Sequence, residues 1–459
     1  MSKPLFLFLI LFFSFFVFAE TNVYKISMMG AEIGKSTETW SVGSGGDGHC
    51  EITLHSVSEM SLARGMDSMT VKSDTTLAAD CKTFEPKRIK GEISEGGSKI
   101  LVEGVNKNGV FETNLTKNGS RETSKFPLPK DTAFFGMIFR KLSAEDLLKG
   151  GKTSIISEES LSESEISYSA QKNADGTVTA TVVFHGIPIK YTVSNKKMLR
   201  SEIQNGLIVY TLESLPETKT APASGTPDIL QNTKLFNEGF SIKSPRKTHS
   251  TVFRIENADF ASIPETCFQK KGNGTITVST DAANCKNLPE AQDTQPNIIE
   301  DSANPEIVRS AQKIVLGAPN QHEMVKRITK FVYKHINNKN YNHGNMSASE
   351  VLRTKSGDCT EHSALFAALS RAAGIPAKMV FGVVLNPGGE FFFHNWNEVF
   401  ADGKWITVDS TFNLIPADSS RITLIYGGSD SRSREQVSVS VLRFLNNTKI
   451  FVRGFSNEK

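Results

Sequence analysis

Residues 21–213 form a long succession of short runs in which apolar and polar residues alternate, each stopped by Gly, Asn-Gly or Asp-Gly. A period of two places every second side chain on one face of an extended strand, and Gly and Asn tolerate the backbone of tight turns. The runs at 23–28, 99–105, 177–184 and 189–193 show the alternation, and only the stretch near 143–148 is helical in spacing. The pattern predicts antiparallel β structure, giving a β-rich amino-terminal domain at 20–213.

A chain of 459 residues exceeds one ordinary core, so two or three domains are expected. Residues 214–228, SLPETKTAPASGTPD, hold three prolines and almost no large apolar side chain, which marks a linker or extended crossover. A small β-rich segment follows at 229–297. Beyond it, 305–316 and 322–336 carry apolar residues at helical spacing, among them Met324, Ile328, Phe331 and Val332. A third helix is predicted at 359–373, ended by Gly374 and Pro376. Strand-like runs then occupy 378–385, 391–400 and 405–411, with turns at Pro387-Gly388-Gly389 and Asp402-Gly403. Helices followed by an antiparallel sheet make 298–459 an α+β domain, so the whole is an α+β multidomain chain.

The first 19 residues belong to another class. Lys3 precedes an apolar run at 5–18 broken only by Ser14, and Val17-Phe18-Ala19 offers a cleavage site before Glu20. This predicts a signal peptide and a periplasmic or secreted protein, with an uncleaved anchor as the alternative. The run is short of the roughly 20 residues a membrane span needs, and no transmembrane segment is expected once it is removed. Five cysteines fit export and leave one thiol over. Cys50 and Cys81 bracket two strand-like runs, and Cys267 and Cys285 flank another at 275–279, so each pair is placed to bridge. Cys359 is then the spare thiol. The formal net charge of +3 comes with no basic, aromatic-interleaved patch, so nucleic acid is not an expected partner.

In Ser356-Gly357-Asp358-Cys359 a polar residue caps a helix and Cys359 begins it, where unpaired N–H groups and the helix dipole favour a thiolate. For a lone cysteine there, a small buried residue at a helix start is the better reading. His394 decides between these. In FFFHNWNEVF the alternation puts Phe392, His394, Trp396, Glu398 and Phe400 on one face. If the Asp402-Gly403 turn pairs Phe400 with Trp405, Trp396 faces Asp409, and His394 becomes a diagonal neighbour of Asp409, within side-chain reach. An aspartate there accepts the imidazole N–H and fixes its tautomer. Cys359-x-x-His362 also has zinc-ligand spacing, but no second ligand cluster accompanies it, so no metal or other cofactor is expected. Glu361 and His362 either line the cleft or face solvent, Arg371 is expected at the helix end, and Trp396 beside the imidazole.

The segments SASEVLRTKSGDCTEHSALFAALSRAAGIPAKMVFGVV and HNWNEVFADGKWITVDSTF resemble the core of the transglutaminase-like superfamily, closely over 347–412 and more loosely from about residue 305. The resemblance implies a papain-like fold with a Cys-His-Asp triad, which falls on Cys359, His394 and Asp409. Lys378 stands where Arg is usual and Ser410 where Pro is usual, both outside the triad. It further implies amide acyl transfer through a thioester, with a peptide, protein or cell-wall peptide as substrate. The backbone N–H of Cys359 and an upstream side chain, for which Tyr341 is the candidate, would hold the oxyanion. A scaffold with a silent cleft is the rival expectation. At the other end, VYKISMMGAEIGKSTETW resembles the first hairpin of bacterial periplasmic half-barrel domains.

Overall fold

The fold is given by a computed structural model, which describes residues 18–44, 49–214, 227–282, 285–344, 346–427, 431–445 and 448–457. Most of the expected signal segment, at 1–17, and most of the linker, at 215–226, lie outside the described residues.

The alternating runs form one 15-stranded sheet. Its first strand, Phe18–Met28, sits mid-sheet, paired with Ala31–Ser44 on one side and with the last strand, Ile208–Leu212, on the other. Both limbs then step outward between antiparallel neighbours, one ending at Ser120–Pro127 and the other where Ala133–Phe134 pairs in parallel with Gly151–Ser157. The turns follow from residue type: Asn108-Gly109 and Asn118-Gly119 all take positive φ, which suits hairpins linked by two residues. Strand Ser98–Lys107 alternates buried and exposed side chains almost without fault. The sheet curls, bringing Phe111 near one edge within 6.0 Å of Phe134 at the other, both fully buried. Helical spacing near 143–148 becomes helix Ala144–Lys149, held by a Ser143–Asp146 capping box. Cys50 bridges to Cys81 and Cys267 to Cys285, with Cα separations of 5.5 and 5.0 Å, leaving Cys359 free.

The carboxy-terminal region packs helices Pro305–Val315, Gln321–His335 and Ala348–Thr354 around helix Cys359–Ala372. Ala364, Ala367 and Ala368 of that last helix are fully buried, and their small side chains let strands Ala377–Leu385 and Glu390–Ala401 approach it. The sheet of this region runs Leu235–Phe236, Glu390–Ala401, Ala377–Leu385, Arg421–Gly427, and Lys404–Val408 also pairs with Glu390–Ala401. Segment 229–297 is built into this unit. Its strands Thr248–Glu256, Gln269–Lys271 and Thr275–Ser279 share a sheet with Lys449–Asn457, and Phe253 and Ile276 share a core with Val383, Phe391 and Ile422.

In 298–459 four elements have no counterpart in the periodicity reading: helix Ala348–Thr354, strand Arg421–Gly427, helix Ser431–Leu445 and strand Lys449–Asn457. Residues 421–424 are all buried, which erases alternation. The run expected at 405–411 ends at Val408, because Asp409 leaves the strand to accept N–H bonds from Thr411 and Phe412.

Gly382 sits opposite His394 in the sheet, and a Cβ there would lie 2.0 Å from the Ile422 carbonyl oxygen and 2.7 Å from the Trp396 ring. Gly382→Ala is expected to destabilise the fold by about 1–3 kcal/mol, read as a lower denaturation midpoint.

Candidate active site

Helix Cys359–Ala372 begins where a capping box fixes it: Thr360 N–H donates to Asp358 Oδ1 at 2.8 Å, and Asp358 N–H donates to the Glu361 carboxylate at 2.9 Å. Cys359 is thus the first helical residue, half-buried, as the sequence predicts. Its acidity differs from the dipole argument. Burial pushes the thiol well above its ordinary value, and the neighbouring Asp358 and Glu361 add to this, opposed by the Asn395 N–H and by Arg64. The thiol is therefore neutral at pH 7 until a base takes its proton.

His394 has a fixed address. Phe400 pairs with Trp405 and Asn397 with Val408, so the hairpin takes the expected register. His394 Nε2 lies 2.8 Å from Asp409 Oδ2, with both side chains buried. Arg421 donates to the same oxygen at 3.0 Å, while Oδ1 accepts from the Thr411 and Phe412 N–H groups. Burial alone would raise the Asp409 carboxyl, but His394 and Arg421 hold it far below the usual carboxylate range. An ionised carboxylate only accepts, so Nε2 carries the proton and Nδ1 is left with a lone pair. The imidazole stacks on Phe412 at 5.1 Å and on Trp396 at 6.3 Å, as expected of Trp396.

Cys359 and His394 line one cavity of about 450 Å³, together with Tyr341, His362, Arg64 and Arg246. Tyr341, named from sequence, faces this space, its hydroxyl acidity lowered by burial and by the Cys359 and Asp358 charges. Of the two residues with open readings, Glu361 is buried in the capping box, and His362 is buried with Nδ1 2.6 Å from the Asp358 carbonyl oxygen. Arg371 departs from expectation. Its guanidinium reaches the Ala377 carbonyl and the buried Glu300 carboxylate at 2.9 Å, tying the next strand and an upstream connector to the helix. Sequence reading missed the support behind Asp409, where Arg421 also binds Asp418 at 2.6 Å and Arg246 binds Asp418 at 3.1 Å. The one available signal was the charged pair Asp418 and Arg421 just before the run Ile422-Thr423-Leu424-Ile425.

A family model described as Transglutaminase-like superfamily matches residues 309–410, so this part of the chain is a transglutaminase-like domain. The segment contains Cys359, His394 and Asp409. The mouse kyphoscoliosis peptidase is 33% identical over 88 residues, covering 17% of this chain; the chain spans only 13% of that relative's length. Among solved structures, a candidate cysteine protease of Cytophaga hutchinsonii is 18% identical with a TM-score of 0.30, over 46% of this chain and 86% of its own. The periplasmic domain of TgpA from Pseudomonas aeruginosa is 15% identical with a TM-score of 0.25, over 39% and 89%.

Glu398, on the His394 strand, is pushed up to about 7 by burial, with the Tyr426 hydroxyl donating to it at 3.0 Å. A carboxyl raised in the folded state stabilises below its unfolded value, and that contribution is lost as pH rises from about 4.5 to about 7. Glu398→Gln is expected to be more stable than the parent at pH 8, by up to about 3 kcal/mol, and to lose this advantage at pH 4.5, read by denaturant titration at both pH values.

Proposed function

We propose that this chain is an exported cysteine enzyme that breaks amide bonds in a peptide, protein or cell-wall peptide by acyl transfer through Cys359. The observation that carries the reading is the His394–Asp409 bond of 2.8 Å on the wall of the cavity that also holds the Cys359 thiol. Export is supported by the signal-like residues 1–19 and by two disulfides. Among the described residues, no helix is long and apolar enough to cross a membrane.

In this reading His394 Nδ1 takes the thiol proton as Cys359 Sγ attacks the amide carbonyl. Asp409 stabilises the imidazolium through Nε2–H, and Arg421 keeps Asp409 ionised and in place. The oxyanion is met by the Cys359 backbone N–H at the helix start, with the Tyr341 hydroxyl as second donor. The imidazolium returns its proton to the amine nitrogen as the C–N bond breaks, leaving a thioester. Water or a second amine then attacks the thioester carbonyl, and the thiol is regenerated. Hydrolysis is the expected outcome.

The raised thiol makes the base indispensable. The other four cysteines are bridged, so iodoacetamide reports on Cys359 alone. His394→Ala is expected to slow alkylation at pH 7 by about tenfold or more, and Cys359→Ala to abolish it. Equal rates in the parent and His394→Ala would remove the imidazole from the mechanism. A peptide panel with and without a primary amine, with Cys359→Ala as control, separates hydrolysis from transfer. No turnover of any member would favour the scaffold reading.

A further inference from the structure

The longest hairpin of the amino-terminal sheet, Cys50–Arg64 with Asp67–Asp80, ends beside the catalytic cysteine. Its tip is fastened from several directions. Gly65 N–H donates to Asp228 Oδ1 at 3.0 Å, and Tyr341 N–H donates to Asp67 Oδ2 at 2.9 Å. The next turn of the sheet packs as closely, since a Cβ on Gly96 would lie 2.1 Å from the Asn342 carbonyl oxygen. Beyond it, Asn118 donates to the Ser347 hydroxyl at 3.0 Å. The loop leading to the catalytic helix is therefore seated on the sheet.

From that tip Arg64 enters the cavity. Its Nη2 donates to Asp358 Oδ2 at 3.0 Å, its Nη1 to the His343 carbonyl at 3.4 Å, and its guanidinium lies 5.4 Å from the Tyr341 ring centroid. Asp358 is the helix cap and the residue before the nucleophile, so its charge opposes any negative charge that develops on Cys359 or on a bound oxyanion. Cys359 is faced by Asp358, Glu361 and His362 from its own helix and cap, by Lys339 and Tyr341 from the preceding loop, by His394 from the sheet strand, by Arg246 from segment 229–297, and by Arg64 from the amino-terminal sheet. Among these, Arg64 is the cation bonded to Asp358.

We propose that Arg64 is a positioning residue of the active site, cancelling the charge of the Asp358 cap and holding the Tyr341 loop at the cleft, so that the amino-terminal sheet completes the catalytic centre. The inference rests on Cys359 as the nucleophile. A long charged side chain at a hairpin tip is ordinarily solvated, but here it is four-fifths covered and bonded to a buried carboxylate.

The test is the pH dependence of iodoacetamide alkylation of Cys359 in the full chain. Arg64→Gln is expected to move the midpoint upward and to slow alkylation at pH 7 by about three- to tenfold. Arg64→Lys should stay close to the parent. Asp358→Asn, which still caps the helix, should move the midpoint downward, and the double variant Arg64→Gln/Asp358→Asn, which loses both charges, should return close to the parent. A midpoint unchanged in Arg64→Gln, or a rate lowered by one factor at every pH, overturns the proposal. If Arg64→Gln does not fold, an unmoved midpoint in Asp358→Asn alone does so. Repeating the series in His394→Ala keeps the two readings apart: loss of the His394 effect sinks the triad, whereas the Arg64 shift is read from Cys359 acidity alone.

Discussion

Two carboxylates, Asp409 and Asp418, and two guanidiniums, buried Arg421 and half-buried Arg246, form a chain of alternating charge behind His394. Burying one unpaired ion costs several kcal/mol, so none of the four can be removed without stranding its neighbour. The chain dictates much around it. Arg421 starts the edge strand, Asp409 ends the hairpin strand early, and Arg246 joins segment 229–297 to the cleft. His394 is oriented because Asp409 has no freedom left: each of its oxygens is already committed.

The thiol half of the site is built on different physics. A helix start attracts negative charge through its open N–H groups, yet the capping box fills those groups with Asp358 and Glu361, both carboxyl side chains. The cap that makes the helix begin at Cys359 is also what discourages ionisation there. Geometry and acidity are thus set by the same residues acting in opposite senses, and the balance falls to His394 on one side and to Arg64 on the other.

What could be read from residues alone was what depends on local period and local turns. The strands of 20–213, the helices Pro305–Val315, Gln321–His335 and Cys359–Ala372 and the Phe400–Trp405 register all follow from spacing plus Gly, Asn and Asp at the turns, and that register alone brings His394 and Asp409 together. What could not be read depends on partners distant in sequence. Arg421 looks like any strand-initial charge until Asp409 is seen beneath it, and Arg64 like any hairpin-tip residue until Asp358 is placed against it. Strand 449–457 has a partner some two hundred residues upstream, a pairing no window can detect.

That last pairing orders the making of the molecule. Strand Thr248–Glu256 belongs to the core that supports Phe391 and Ile422, yet one of its edges stays open until Lys449–Asn457 has been synthesised on the far side of Cys359. Helix, histidine strand and acid loop are all threaded out before the sheet beneath them can close. The cleft therefore sets late, and a chain interrupted anywhere before residue 449 carries Cys359, His394 and Asp409 on an unfinished support.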